Sequence, residues 1–288
     1  VFGGIKMLGI YSKALPKDIS WFERLTLAKE LGFDFVEMSV DETDERIARL
    51  DWTKAERKAI RDAIFELDMP ILSMCLSAHR RYSLGSADPD KQEIALALMT
   101  KAVDLASDLG IRSIQLAGYD VYYEPKTTMS RNAFIENLQK CVTIAANKSV
   151  VLSIEIMDDP FINSISKFLE IKAQIPSPYL QVYPDLGNLS AWPENLVGYE
   201  LEKGIAAISQ VHLKDTLAVT SEFEGKFKNV AFGAGCVDFV GCLKTLKRLN
   251  YSGSFVMEMW SETSETPVAE IEKAKGIVLP FLKEAGYA

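Results

Sequence analysis

Four residues in the second half of the chain are of types that bind metal ions and move protons: Glu155, Asp185, His212 and Glu258. Each lies inside or just beyond an apolar run: Ser153-Ile-Glu-Ile-Met157, Val182-Tyr-Pro-Asp-Leu-Gly187, Val211-His-Leu-Lys-Asp215 and Val256-Met-Glu-Met-Trp260. Burying an isolated carboxylate is costly unless it is paired or metal-bound. A salt bridge to Lys or Arg would explain any one of them, but it does not explain four in register. Three carboxylates and one imidazole make an oxygen-rich ligand set for one divalent ion per chain. Mn²⁺ and Mg²⁺ suit such a set and Zn²⁺ and Co²⁺ tolerate it, with zinc or manganese as the leading expectation.

The separations of these four residues, 30, 27 and 46 positions, show what must hold them. Each is one strand-plus-helix unit, the last lengthened by a loop from Asp215 to Cys236. Short apolar runs alternate with helical periodicity along the whole chain, with strands expected at Met7–Tyr11, Phe33–Met38, Ile71–Leu76, Ile111–Leu116, Val150–Ile156, Tyr179–Tyr183, Ile208–Leu213 and Gly253–Met259. Helical stretches follow them at about Trp21–Leu31, Trp52–Leu67, Pro89–Leu109, Met129–Asn147, Ser164–Ile175, Leu196–Ile205, Val237–Leu249 and Pro267–Ala285. Continuous apolar strands between helices imply a parallel sheet covered by helices. Eight such units without a linker predict an α/β fold, a (β/α)₈ TIM barrel as a single domain over 1–288, with its active site at the C-terminal strand ends. A doubly wound sheet is the weaker reading, because Phe232-Gly-Ala-Gly-Cys236 lacks the third glycine and the preceding strand of a phosphate fingerprint.

Composition narrows the classes further. The chain has 288 residues, a net charge of −8, and only 2 histidines, His79 and His212. The acidic balance argues against nucleic acid or an anionic membrane as partner, and no apolar stretch is long enough to span a bilayer. The apolar start, Val1 to Ile10, is too short for a signal sequence. Cys75, Cys141, Cys236 and Cys242 form no C-x-x-C pair and read as reduced core thiols, which favours a cytoplasmic protein.

Longer motifs carry a resemblance. Gly32-Phe-Asp-Phe-Val-Glu-Met-Ser-Val-Asp-Glu-Thr-Asp-Glu-Arg46, Ser73-Met-Cys-Leu-Ser-Ala-His-Arg-Arg81, Ile114-Gln-Leu-Ala-Gly-Tyr-Asp-Val-Tyr-Tyr123, Tyr183-Pro-Asp-Leu-Gly-Asn-Leu-Ser-Ala-Trp192 and His212-Leu-Lys-Asp-Thr216 resemble the bacterial L-ribulose-5-phosphate 3-epimerases. These enzymes, also called L-xylulose-5-phosphate 3-epimerases, are xylose-isomerase-like TIM barrels, and the similarity runs through the chain from Met7 onward. It implies a cytoplasmic, homodimeric, metal-dependent epimerase acting on a small ketose phosphate in L-ascorbate or L-xylulose breakdown. Glu155, Asp185, His212 and Glu258 fall on the family's metal-ligand positions. Epimerisation at C3 of a 2-ketose needs a proton removed beside a carbonyl and another returned on the opposite face. Glu155 and Glu258 are the expected acid/base pair, with a divalent ion polarising the carbonyl. Related epimerases of free ketoses carry a substrate-binding His three residues after the metal Asp. Here that position is Asn188, which puts a different sugar contact or substrate set in play.

Further substrate contacts are expected from Asp158, Asn188, Lys214, His79 and Arg80. Asp158 competes with a loop-capping role, and the arginines of His79-Arg80-Arg81 with ion pairs to the acidic loop Asp41–Glu45. Lys214 and the Gly233/Gly235 turn would serve a phosphate bound after the seventh strand. Trp192, Trp260 and Tyr11 are expected to wall the pocket. The alternatives are an epimerase or isomerase of an unphosphorylated ketose and a polyol dehydratase with the same barrel and ligands. A metal-dependent nuclease would need more histidines and a basic face, and a non-catalytic barrel has no need for two opposed glutamates.

Overall fold

Apolar strands and capped helices alternate through the computed structural model, which describes residues 8–287. The strands are β1 (Leu8–Tyr11), β2 (Phe35–Val40), β3 (Ile71–Leu76), β4 (Ser113–Ala117), β5 (Val151–Glu155), β6 (Leu180–Tyr183), β7 (Val211–Leu213), a hairpin of β8 (Asp215–Leu217) and β9 (Lys226–Val230), and β10 (Phe255–Met257). Eight of them pair in parallel in the order β6-β5-β4-β3-β2-β1-β10-β7. Two parallel bridges, Val182 to Ile208 and Asp185 to His212, join β6 to the β7 segment and bring the ring to near closure. The expected TIM barrel is therefore present, and its closing bridge pairs two of the expected metal ligands.

Among the described residues, ten α-helices surround it: α1 (Trp21–Glu30), α2 (Asp44–Ile47), α3 (Lys54–Leu67), α4 (Pro89–Leu109), α5 (Thr128–Ala146), α6 (Ile165–Lys172), α7 (Leu186–Ala191), α8 (Val197–Gly204), α9 (Phe239–Arg248) and α10 (Pro267–Glu284). Their starts follow local chemistry. Ser20 and Glu23 form a capping box on α1, and Thr53 and Glu56 another on α3. Asp88 caps α4 with Pro89 at its first position, and Gly110 ends it in the left-handed conformation at φ +76°. Among the described residues, no helix is long and apolar enough to cross a membrane.

Alternation along the strands divides their side chains between two layers. Val36, Met38, Val40, Ile114, Leu116, Leu152 and Ile154 join the main core shared with the helices. Tyr11, Phe35, Cys75 and Val256 form a separate small cluster. Gly9 makes room for it, since a Cβ there would stand 2.4 Å from the Phe35 ring. Buried polar groups accompany this cluster: Glu37, Ser39, Ser73, Ser153, Glu155 and His212 are all at or below 5% exposure. The protein thus places a polar core beneath the strand ends, where the candidate site lies.

Two features differ from expectation. The stretch from Asp215 to Cys236 is not a plain loop, because β8 and β9 fold it into an antiparallel hairpin. The segment after Asp185 is helical as α7, which is too short for periodicity to reveal. The cysteines need a correction: all four are free, but Cys236 is exposed, and only Cys75, Cys141 and Cys242 are core thiols. Of the apolar start, residues 1–7 lie outside the described residues.

The acidic loop after β2 is built around Asp41, which pairs with Lys13 and with Arg46 at 3.6 Å and accepts from the Thr43 backbone and hydroxyl at 2.9 and 2.6 Å. Partial burial opposes its charge, but Lys13 and Thr43 outweigh that and hold its pKa at about 2. A carboxyl held below its unfolded value stabilises the fold fully above the unfolded pKa, and that contribution is lost as pH falls through the folded pKa. Asp41→Asn should therefore cost about 1–2 kcal/mol at pH 7, reduced by solvent screening from the full shift. The gap from wild type should narrow as pH falls from about 4 toward 2. Urea unfolding across that range checks it, and a gap independent of pH would contradict it.

Candidate metal centre

The four expected ligands converge. Glu155 ends β5, His212 lies in β7, Glu258 follows β10 directly, and Asp185 follows β6 after Pro184. All four are buried, and one ligand atom from each lies within 4.8 Å of all the others. Local structure aims each group. Asp185 caps α7 by accepting the Asn188 N–H on Oδ1 at 2.8 Å, which leaves Oδ2 for the cluster. His212 gives Nε2 to Glu37 Oε1 at 2.7 Å, so Nδ1 faces Glu155 Oε1 at 3.3 Å, and Asp185 Oδ2 and Glu258 Oε2 at 3.7 Å each.

Lys214 is the fifth member. Its Nζ stands 2.8 Å from Asp185 Oδ2 and 3.1 Å from Glu258 Oε2. Even so, both carboxylate oxygens are buried without a hydrogen-bond partner. Unpartnered buried oxygens are rare in native structures and call for a ligand. Three converging carboxylates, one inward imidazole nitrogen and two such oxygens fit a divalent cation, and the cluster could hold one metal ion.

The environments push the carboxyls apart. Burial raises Glu258 to about 7, helped by Glu155 and Asp185 and resisted by Lys214 and His212. For Asp185 burial also opposes the charge, but Lys214 and His212 win and hold it at about 2. His212 resists its own burial because Glu37 and Glu258 raise its pKa well above the ordinary histidine value. A carboxyl raised toward neutrality, as Glu258 is, suits acid/base chemistry near neutral pH.

Around the centre the mouth narrows to a cavity of about 50 Å³, whose lining includes Glu155, Glu258, Asn188, Asp158, Arg80 and Lys228. A larger cavity of about 290 Å³ adjoins it between β9 and α10, touching Lys214, Glu258 and Trp260. Asn188 donates its amide to the Ile156 carbonyl at 2.8 Å, and its Oδ1 is buried without a partner. Asp158 accepts from the Tyr119 hydroxyl, while its neighbour Asp159 makes the loop cap by accepting the Phe161 N–H at 2.8 Å. The Arg80 guanidinium lies over Tyr119 and Tyr122, 5.6 and 5.1 Å from their centroids, with its Nε buried and unpartnered. Arg81, by contrast, makes the expected pair with the acidic loop, at Asp44, 2.6 Å away.

Other expected contacts are not brought together. His79 turns away from the mouth onto α4, bonding the Ala95 carbonyl through Nε2 at 3.0 Å. Burial lowers its pKa to about 4. The Gly233/Gly235 turn spends its N–H groups on Asp215 Oδ2, at 2.8 and 2.9 Å. Gly235 is required there, because a Cβ would lie 2.1 Å from Asp215 Oδ1. Trp260 and Tyr11 do wall the mouth, whereas Trp192 packs against Phe227 at 5.8 Å behind it. Lys228 lies in β9. The hairpin brings it to the mouth, 5.4 Å from the Trp260 ring.

Glu37 escaped the reading of the sequence. The available signal was the one that picked out Glu155 and Glu258, a carboxylate inside an apolar strand run, here Phe35-Val-Glu-Met-Ser-Val40.

Comparison with known proteins agrees with the fold. The xylose isomerase-like TIM barrel family matches residues 25–283. L-ribulose-5-phosphate 3-epimerase UlaE of Escherichia coli (strain ATCC 8739) is 52% identical over 279 residues, covering 97% of this chain and 96% of its own. SgbU of Escherichia coli strain K12, provisionally named as the same enzyme, is 55% identical over 280 residues, covering 97% and 98%. Among solved structures, an L-ribulose 3-epimerase superposes with a TM-score of 0.75 at 19% identity, over 98% of this chain and 96% of that one. A D-psicose 3-epimerase gives 0.77 at 16%, over 97% and 99%. The chain belongs to the xylose isomerase-like TIM barrel family, in its group of L-ribulose-5-phosphate 3-epimerases, and is an isomerase-class enzyme.

Proposed function

We propose that the protein interconverts L-ribulose 5-phosphate and L-xylulose 5-phosphate at C3 through an enediolate, using one divalent metal ion. The observation that carries this reading is the convergence of Glu155 and Glu258 with Asp185 and His212 on one buried point. The names of the relatives at 52–55% identity supply the substrate pair. Glu155, Asp185, His212 and Glu258 would hold the ion, zinc or manganese before magnesium or cobalt. Bound there, it would supply Lewis-acid polarisation of the ketone and charge stabilisation for the enediolate.

The protein's own groups do the rest. Glu155 and Glu258 reach the cluster from strands three positions apart round the ring, β5 and β10. They take and return the C3 proton on opposite faces, exchanging acid and base roles with direction. Before any metal is bound, burial raises Glu258 to about 7, the carboxyl of the cluster brought nearest to neutrality. Lys214, beside both Asp185 and Glu258, donates to a substrate oxygen. Asn188 offers its unpartnered Oδ1 to a sugar hydroxyl, and Asp158 borders the same space.

Phosphate recognition falls to Arg80 and Lys228. Both line the mouth, and burial and the nearby Arg80 pull Lys228 below the ordinary lysine value, so an anion bound there would offset the repulsion between them. The enzyme would work as a homodimer in L-ascorbate or L-xylulose breakdown in the cytoplasm, a reducing compartment that its four free cysteines suit. Metal-loaded and chelator-stripped protein should be assayed by NMR on ketose 5-phosphates and free ketoses side by side. Epimerisation of the phosphates that disappears with the metal is expected, with Arg80→Met raising KM for phosphates alone. Equal turnover of free and phosphorylated ketoses would favour the unphosphorylated alternative.

A further inference from the structure

Glu37 belongs to neither the expected ligand set nor the acid/base pair, yet it sits directly behind the centre. It is fully buried in β2, and all its partners come from other strands. Oε1 accepts from His212 Nε2 of β7 at 2.7 Å. Oε2 accepts from the Ser73 hydroxyl of β3 at 2.6 Å and the Tyr183 hydroxyl of β6 at 2.9 Å. One carboxylate thus ties four strands together beneath the mouth. The Tyr183 ring packs on the His212 ring, with centroids 4.5 Å apart in an edge arrangement.

A buried carboxylate with three donors has its lone pairs satisfied and its position locked by groups that do not touch the mouth. Its bond to Nε2 leaves only one arrangement in which His212 can be neutral and also bind metal: the proton on Nε2, the lone pair on Nδ1. That lone pair is the one that faces Glu155, Asp185 and Glu258. Hydrogen bonds from a ligating histidine to a carboxylate fix its tautomer and raise its basicity, and their loss commonly weakens metal binding 10–100-fold.

We propose that Glu37, held by Ser73 and Tyr183, is the positioning residue that makes His212 an Nδ1 metal ligand. The inference rests on the metal-centre reading above and deepens it. It assigns Glu37 no contact with substrate, and it predicts that the residue acts through metal affinity rather than through proton transfer.

The test measures Zn²⁺ affinity by chelator competition for wild type, Glu37→Gln and Tyr183→Phe, with thermal unfolding of the metal-free proteins as the fold control. Glu37→Gln keeps the volume and an acceptor oxygen but removes the charge. Its affinity should fall about 10–100-fold, with the metal-free melting transition remaining cooperative. Tyr183→Phe should show a smaller loss in the same direction. Nitrogen-15 shifts of His212 in Zn²⁺-loaded wild type give a second readout that needs no variant, with Nδ1 ligated and Nε2 protonated. Affinity within about twofold of wild type in Glu37→Gln, or ligation through Nε2, overturns the proposal while leaving the metal centre intact. Failure of the wild type to bind Zn²⁺ at these residues overturns the metal reading itself, and the role of Glu37 with it.

Discussion

Glu258→Gln is expected to lower kcat by about 1,000-fold or more while the protein still takes up its metal ion. The two effects separate because the residue does two things. As a ligand it offers an oxygen, and glutamine retains one, so the weaker site is still filled at saturating metal. As an acid/base group it must gain and lose a proton, which an amide cannot do near neutral pH. General acid/base groups commonly contribute about 10²–10⁴-fold, and Glu258 is the member of the cluster whose pKa burial raises to about 7. Glu155→Gln should behave alike. Steady-state kinetics beside metal analysis of the purified variants decides the matter. Near-normal kcat in metal-loaded Glu258→Gln would remove it from the proton-transfer role.

Asp185→Asn is expected to weaken metal binding by more than about 100-fold without unravelling the strand end. Asn can still accept the Asn188 N–H through Oδ1, so the cap on α7 survives. What it loses is the charge on Oδ2, the oxygen that faces His212 and Lys214 and has no hydrogen-bond partner. Metal ligands bind as anions or neutral bases, so the change acts on affinity directly. Activity should be lost at limiting metal and partly recovered in excess. Chelator competition gives the affinity, and far-ultraviolet circular dichroism tests the fold. Wild-type affinity in this variant would take Asp185 out of the ligand set.

The barrel and the four residues that converge at its mouth were legible in the sequence because both rest on local rules. Continuous apolar strands with capped helices leave few topologies, and Pro89 and Gly110 mark the start and end of α4 unaided. Glu155 and Glu258 stand out because carboxylates inside apolar runs need a reason. Glu37 carried the same signal, but its partner His212 is 175 residues away, and no local pattern links them. His79 misled for the opposite reason. Its neighbour Arg80 lines the mouth, but one step along a tight turn sends the His79 ring onto α4.

The rest was set by tertiary contacts. The Gly233/Gly235 turn looked free to bind an anion, yet the anion it binds is the chain's own Asp215. Lys214 was expected near a phosphate, but the register of β7 with β10 and the bridge to Asp185 place it between two carboxylates instead. The hairpin that carries Lys228 to the mouth is a long-range pairing of Asp215 with Val230, which alternation in β8 alone is too short to announce.

The central claim is reversible proton transfer at C3 between two opposed glutamates. It is tested most directly by equilibrating the metal-loaded enzyme with L-ribulose 5-phosphate in deuterium oxide and locating the label by NMR. Deuterium should enter at C3 alone in both epimers and at neither C1 nor C4. Metal-loaded Glu155→Gln and Glu258→Gln should each exchange the C3 proton of one epimer only. Turnover without deuterium at C3, or label at C1, would contradict the account.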